Sequence, residues 1–260
     1  MLDYGARWYD PSIGRFNRVD RFAEKYYANS SYSYTAGNPI KFIDVNGDSI
    51  DVNRALISDR VNGTAYTQAI INEWESISGL TITTTGGKLG YTKDAAGNPV
   101  VAAGGSATAR NHLTTLIDDT GAELDISLRP GQRSVTAGAS NDVGIDPLQI
   151  QGFINGTPAT LNSNTMGLGM VALHETYHTA MGGRFSDPIA SAGGTGPVVD
   201  RVNIIRSELD NTRAPGVAPY GQRAEYRPSV VRSSSSDLRF TYPSTTRRGR
   251  PRTRAAYITF

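Results

Sequence analysis

The texture of the chain changes near Asp48, and this change limits the possible folds more than any other feature. Tyr4, Tyr9, Tyr26, Tyr27, Tyr32 and Tyr34 crowd into residues 1–47, six of thirteen tyrosines in less than a fifth of the 260 residues. Their short aromatic stretches are divided by Asp10-Pro11, Gly14, Gly37-Asn38-Pro39 and Asn46-Gly47, a pattern of β-strands joined by tight turns. From Asp48 helix and strand signals alternate, which predicts an α+β domain over 48–230. Residues 231–260 change again. Ser233 to Ser236 form a polar run, and Arg247, Arg248, Arg250, Arg252 and Arg254 stand in a stretch broken by Pro and Gly, so a flexible tail is predicted there.

Within 48–230, Thr64 can cap a helix in which Tyr66, Ile70, Trp74 and Ile77 recur at helical spacing until Gly79 stops it. Leu80 to Thr85 is β-branched, Gly86-Gly87 can turn it, and Lys88 to Lys93 can return as its partner. A second helix is expected from Ser106 to Gly121, and short strands at Leu124 to Leu128 and Val143 to Ile145. The strongest helix signal covers 164–181, opened by Asn164 or Thr165 and closed by Gly182-Gly183. Pro197 then suits the first turn of a helix whose apolar face is Val198, Val202, Ile205 and Leu209.

Composition removes several classes of function. With 26 Lys+Arg against 24 Asp+Glu, the molecule has no strong overall field to steer it onto nucleic acid or an acidic membrane. Nucleic acid is not an expected partner, and the arginines at the end read as a solvated segment without interleaved stacking aromatics apart from Tyr257 and Phe260. The absence of cysteine excludes disulfides, thiolate metal sites and cysteine nucleophiles. No apolar run approaches the roughly 18 residues that cross a bilayer. The first residues also lack the basic and apolar regions of a signal peptide, so export is expected to use another route.

Chemistry concentrates at His174-Glu175-Thr176-Tyr177-His178, inside the strongest helix signal. Histidines four residues apart leave one face of a helix and can converge on one metal ion. Glu175 is offset from that line, which suits a general base in metal-assisted hydrolysis better than a ligand. Met166, Met170, Leu173, Tyr177 and Met181 form a separate apolar seam, so such a helix can pack on one side and chelate on the other. His112, beside Leu113, is expected to be a structural histidine.

The segment Tyr4-Gly5-Ala6-Arg7-Trp8-Tyr9-Asp10-Pro11-Ser12-Ile13-Gly14-Arg15-Phe16, with Asp20, Ser33-Tyr34, Asn38-Pro39-Ile40 and Ile43-Asp44, resembles the end of the Rhs-repeat-associated core of YD-repeat polymorphic toxins. That resemblance implies that 1–47 is a short all-β remnant of an Rhs core shell and that a toxin domain begins just after it. It further implies delivery into a target cell by a secretion system, a cognate immunity protein, and self-cleavage through aspartates mapping to Asp20 and Asp44. Here Asp20-Arg21 and Asp44-Val45 replace the family's Asp-Pro pairs, and the alternative is that both are turn residues.

The His-Glu-x-x-His helix resembles that of the zincin metallopeptidases, which pair a strand-containing lobe with this active-site helix. The implied function is a Zn²⁺-dependent peptidase acting on a protein of the target cell, with His174 and His178 as ligands and Glu175 as base. Arg184 stands where the metzincins place a third histidine, so that subclass is excluded. A catalytic zinc usually has three protein ligands, and with no histidine downstream the third is expected to be a carboxylate. Asp187 is preferred, a few residues beyond the Gly182-Gly183 stop and at a spacing similar to that of aspzincins. Glu208, as in gluzincins, is the next choice, with Asp200 and Asp210 also near in sequence. Tyr220 and Tyr226 can stabilise an oxyanion, although loop packing is the simpler role. The competing functions are a non-catalytic module stapled by zinc and a nucleic-acid-directed toxin using the basic segment.

Overall fold

Two glycines with positive φ, Gly86 at 59° and Gly87 at 85°, make the tight turn that pairs β5 (Ile82–Thr85) with β6 (Lys88–Tyr91). These strands form one side of a six-stranded mixed sheet of order β5-β6-β4-β7-β9-β8, completed by β4 (Ile50–Asp51), β7 (Leu124–Leu128), β8 (Val135–Thr136) and β9 (Asp142–Ile145). β4, β7 and β9 run parallel, and both flanks are antiparallel. The computed structural model describes residues 2–3, 8–19, 30, 32, 50–132, 135–136, 140–186, 194–224, 229–231, 235–246 and 248–259. Asp20, Asp44, Asp187 and Tyr226 lie outside them.

The helices are α1 (Asn53–Asn62), α2 (Tyr66–Ser78), α3 (Ala107–Asp118), α4 (Pro147–Gly156), α5 (Leu168–Thr176) and α6 (Gly196–Thr212). α2 packs on both α3 and α5, α6 packs on α3 and α5, and α5 lies against β9 and β8. Ile70, Trp74 and Ile77 of α2, Leu113 and Leu116 of α3, and Met170 and Leu173 of α5 all enter one buried core with the inner strands. The apolar spacings seen in the sequence are therefore the spacings of the core. None of the described helices is long and apolar enough to cross a membrane.

Several local expectations are corrected. Thr64 does not cap α2 itself; Asp59 of α1 accepts from Thr64 Oγ1 and from the backbone N–H groups of Tyr66 and Thr67, tying α1 to the start of α2. The predicted 164–181 helix divides into a 3-10 turn, Ser163–Met166, capped by Asn162, and α5. The largest correction falls in 231–260, where a flexible tail was expected. There β12 (Ser235–Thr245) and β13 (Pro251–Thr259) form a long antiparallel hairpin, joined by β10 (Gln222–Arg223) and β11 (Ser229–Val231) into a second sheet. Leu238, Phe240, Tyr242, Ala256 and Ile258 alternate into the main core. The period-2 apolar row outweighs the polarity of its neighbours, because its other face need only meet water.

Toward the N-terminus, β1 (Leu2–Asp3), β2 (Trp8–Asp10) and β3 (Arg15–Phe16) make a separate three-stranded antiparallel sheet. Its turn is built by Asp10, which accepts from the Ser12 N–H and hydroxyl, and by Gly14 at φ 65°.

Candidate metal centre on helix α5

Helix α5 carries no capping side chain of its own at Gly167. The cap comes from α2: the Glu73 carboxylate accepts from the N–H of Gly169 and takes further backbone hydrogen bonds from Met170 and Leu168. Trp74 Nε1 donates to the Gly169 carbonyl at 2.9 Å. A Cβ on Gly167 would stand 2.5 Å from Glu73 Oε1, and one on Gly169 would stand 2.5 Å from Glu73 Cβ, so two glycines are what let α2 approach this closely. Burial pushes the Glu73 carboxyl above the ordinary range, while the three N–H groups pull it back. Sequence reasoning missed Glu73; the Gly167-x-Gly169 spacing at an uncapped helix start was the available signal.

At its other end α5 tightens. Tyr177 N donates to the His174 carbonyl, His178 N to that of Glu175 and Thr179 N to that of Thr176, each a three-residue step, so His178 rides on a turn just beyond the helix. Chain reversal follows through Gly182 and Gly183. A Cβ at Gly182 would lie 1.8 Å from the Thr176 carbonyl oxygen. Phe185 then returns alongside, its N–H donating to the Tyr177 carbonyl at 3.1 Å.

The two imidazoles meet as the spacing requires. His174 Nε2 and His178 Nε2 are 3.4 Å apart, with ring centroids separated by 5.1 Å and ring planes at 73°. Two nitrogens each about 2.0–2.1 Å from one tetrahedral zinc would be roughly 3.3–3.4 Å apart. His178 Nδ1 lies 2.7 Å from the Phe185 carbonyl oxygen, a partner that only accepts. Nδ1 therefore carries a proton, which leaves Nε2 as the ring nitrogen that can bind a metal. His174 is held well below its ordinary pKa by burial, with Arg223, His178 and Arg206 adding to the effect, so it is in the neutral form a ligand must have. Glu175, next to His174 in sequence, is buried.

A second layer fixes this segment. His112 of α3 stacks on Tyr177 at 3.8 Å between centroids, and its Nε2 is 2.8 Å from Thr176 Oγ1. Burial, followed by the charge of Arg201, drops the His112 pKa to about 4. The Arg201 guanidinium lies 3.5 Å over the Phe185 ring. Arg206 is buried and donates to the Thr165 carbonyl and to Asn203, and burial with Arg223 brings its pKa down to about 9. His112 is thus a packed structural group.

Three of the four carboxylates considered as third ligand are engaged elsewhere. Both oxygens of Glu208 serve the N-terminus of α3, accepting from Ser106 Oγ, Thr108 N and Thr108 Oγ1. Asp210 accepts from Tyr220 N and Gly221 N. Asp200 accepts from Thr195 Oγ1. Asp187, two residues past the Phe185 carbonyl that orients His178, is outside the described residues. Tyr220 packs half-buried against the core, where burial raises its pKa with help from the Glu73 and Asp210 charges. That environment fits loop packing near the start of α5. Among the described residues one acidic group of three is close enough to share an ion, Asp51, Glu123 and Asp125. Lys88 Nζ already sits there, 2.8 Å from Asp51 and 2.7 Å from Glu123. No family model matches the chain, and no curated protein or solved structure matches it.

Proposed function

We propose that this chain is a zinc-dependent metallopeptidase of the zincin type, carried at the C-terminal end of an Rhs-type protein and directed at a protein of a target cell. The observation that carries the proposal is the 3.4 Å separation of the two Nε2 atoms, combined with a backbone carbonyl that fixes the His178 tautomer. His174 and His178 would hold the ion, and Asp187 would supply the third ligand. Zinc in such a site supplies a Lewis acid that lowers the pKa of water to about 7 and polarises a peptide carbonyl. The Glu175 carboxylate accepts the proton of the attacking water and returns it to the leaving amine. Delivery by a secretion system and neutralisation by a cognate immunity protein belong to the same proposal and rest on the Rhs-like segment 1–47.

Metal content and proteolysis measured together test it. The purified chain, reconstituted with zinc, is expected to hold about one ion per molecule and to cleave protein in a target-cell lysate. His174→Ala should lose both. Glu175→Gln should keep the metal and lose the cleavage. Equal metal loss in the two variants would overturn the assigned roles.

A further inference from the structure

The arginines near the C-terminus were expected in a solvated tail, and the structure places four of them, Arg248, Arg250, Arg252 and Arg254, on the β12–β13 hairpin and its turn. From Leu238 to Phe260 the sequence has six arginines, no lysine and no acidic residue, although the whole molecule is nearly neutral. Phe240 and Thr241 pair with β10, and Ser235 to Asp237 with β11, so from Tyr242 onward the described pairing of β12 is with β13 alone. Four residue pairs, Tyr242 with Arg254 through Thr245 with Pro251, continue as a two-stranded ribbon of roughly 13 Å at 3.3 Å per residue. The ribbon ends in a turn in which Thr246 N donates to the Arg250 carbonyl and Gly249 N to that of Thr246. Gly249 takes φ 74° there, and a Cβ on it would meet nothing within 4 Å.

Arg248, Arg250, Arg252 and Arg254 are all exposed on this arm. Arg254 pairs with Tyr242, the last core residue of β12, and Arg252 pairs with Ser244, so the row that begins with buried Ile258 and Ala256 reaches the edge of the core at Arg254 and passes it at Arg252. Pro243 and Pro251 lack the N–H that a further strand would need. The exposed side chains are then the main features this arm offers a partner. Planar guanidinium groups at high density suit phosphate oxygens and guanine edges, and the major groove of B-form DNA is wide enough for a two-stranded ribbon. No stacking aromatics are needed for that mode, unlike the binding of single strands. We infer that this hairpin, rooted in the core at Tyr242, carries at its outer end a duplex-DNA-binding arm that meets the major groove through Arg248, Arg250 and Arg252, with Arg254 at its base.

The test is fluorescence anisotropy of the full chain with a labelled mixed-sequence DNA duplex of about two helical turns, titrated at several salt concentrations. Wild type should bind, and replacing all four arginines by alanine should weaken binding at least tenfold and flatten the salt dependence of log K by about 3.6, at about 0.9 per phosphate contact. Replacement of the same four by lysine should preserve most of the binding, and zinc content and thermal midpoint should be unchanged in both variants. An RNA duplex of the same sequence should bind more weakly, because its deep, narrow major groove does not admit the ribbon. Absence of DNA binding by wild type, an unaltered salt slope in the alanine variant, loss of binding in the lysine variant, or equal or tighter binding of the RNA duplex or of polyglutamate would each overturn the inference.

Discussion

At the scale of single residues, the groups around α5 act by holding one another. Glu208 and Ser106 converge on the first turn of α3: Ser106 Oγ accepts from Ala109 N while donating to Glu208. Ser106→Ala and Glu208→Ala should each cost about 1–2 kcal/mol, and the double variant should cost less than the sum because the two share a hydrogen bond. Zinc content of Glu208→Ala should equal that of wild type; loss of metal would return Glu208 to the list of ligands. His112 gives a dependence on pH. Its pKa falls from 6.5 to about 4 on folding, so the unfolded chain takes up a proton first as pH drops. The stability contributed by neutral His112 is complete above 6.5 and is lost on descent toward 4, a loss of up to about 3 kcal/mol. His112→Phe keeps a ring to stack on Tyr177 and should make this decline shallower in urea unfolding measured at a series of pH values.

At the scale of elements, α5 is short, and both its ends are controlled from outside. Its start depends on a carboxylate from α2, so Glu73→Ala leaves buried N–H groups without their acceptor and should destabilise the fold by about 1–3 kcal/mol. Glu73 is raised by burial, so just above the ordinary glutamate range the folded state retains more proton than the unfolded one. Wild-type stability falls there as pH rises, and Glu73→Gln should lack that fall. The far end depends on Gly182. Because its Cβ would strike the Thr176 carbonyl oxygen, which is backbone and cannot rotate away, Gly182→Ala should displace the turn bearing His178. Zinc affinity is then expected to drop together with stability, by about 1–3 kcal/mol in the latter. Wild-type zinc affinity in that variant would show that the reversal does not set the His174–His178 separation.

At the scale of the whole molecule, the C-terminal hairpin belongs to the fold and the N-terminal strands form a sheet of their own. Deleting 231–260 removes Leu238, Phe240, Tyr242, Ala256 and Ile258 from the core. At about 1.5–3 kcal/mol for each large buried side chain, that exceeds or rivals the 5–15 kcal/mol that typically holds a domain together. The shortened chain should therefore lose its cooperative thermal transition. A chain beginning at Asp48 retains the whole cluster from Ile50 onward and should keep the midpoint, the metal and the proteolysis of the full chain.

Periodicity and turn chemistry alone determined much of this molecule. The helix through Trp74, the Gly86-Gly87 hairpin, the Ser106 cap, the strand Leu124–Leu128 and the paired histidines are all written in spacings of two, three or four residues. α4 was not among the expected helices, although Asp146 caps it and Pro147 opens it, a signal of the N-cap and N1 kind. Nor was α1, because its apolar Ile57 and Val61 are exposed while Asp59 is buried. Tertiary structure decided what local pattern cannot encode: that Glu73 caps α5, that Glu208 is committed to α3, that Phe185 orients His178, and that an arginine-rich segment pairs into a hairpin with one face in the core. Each joins residues distant in sequence or depends on a close approach, and its energy arises only when burial removes the water that would otherwise satisfy the same groups.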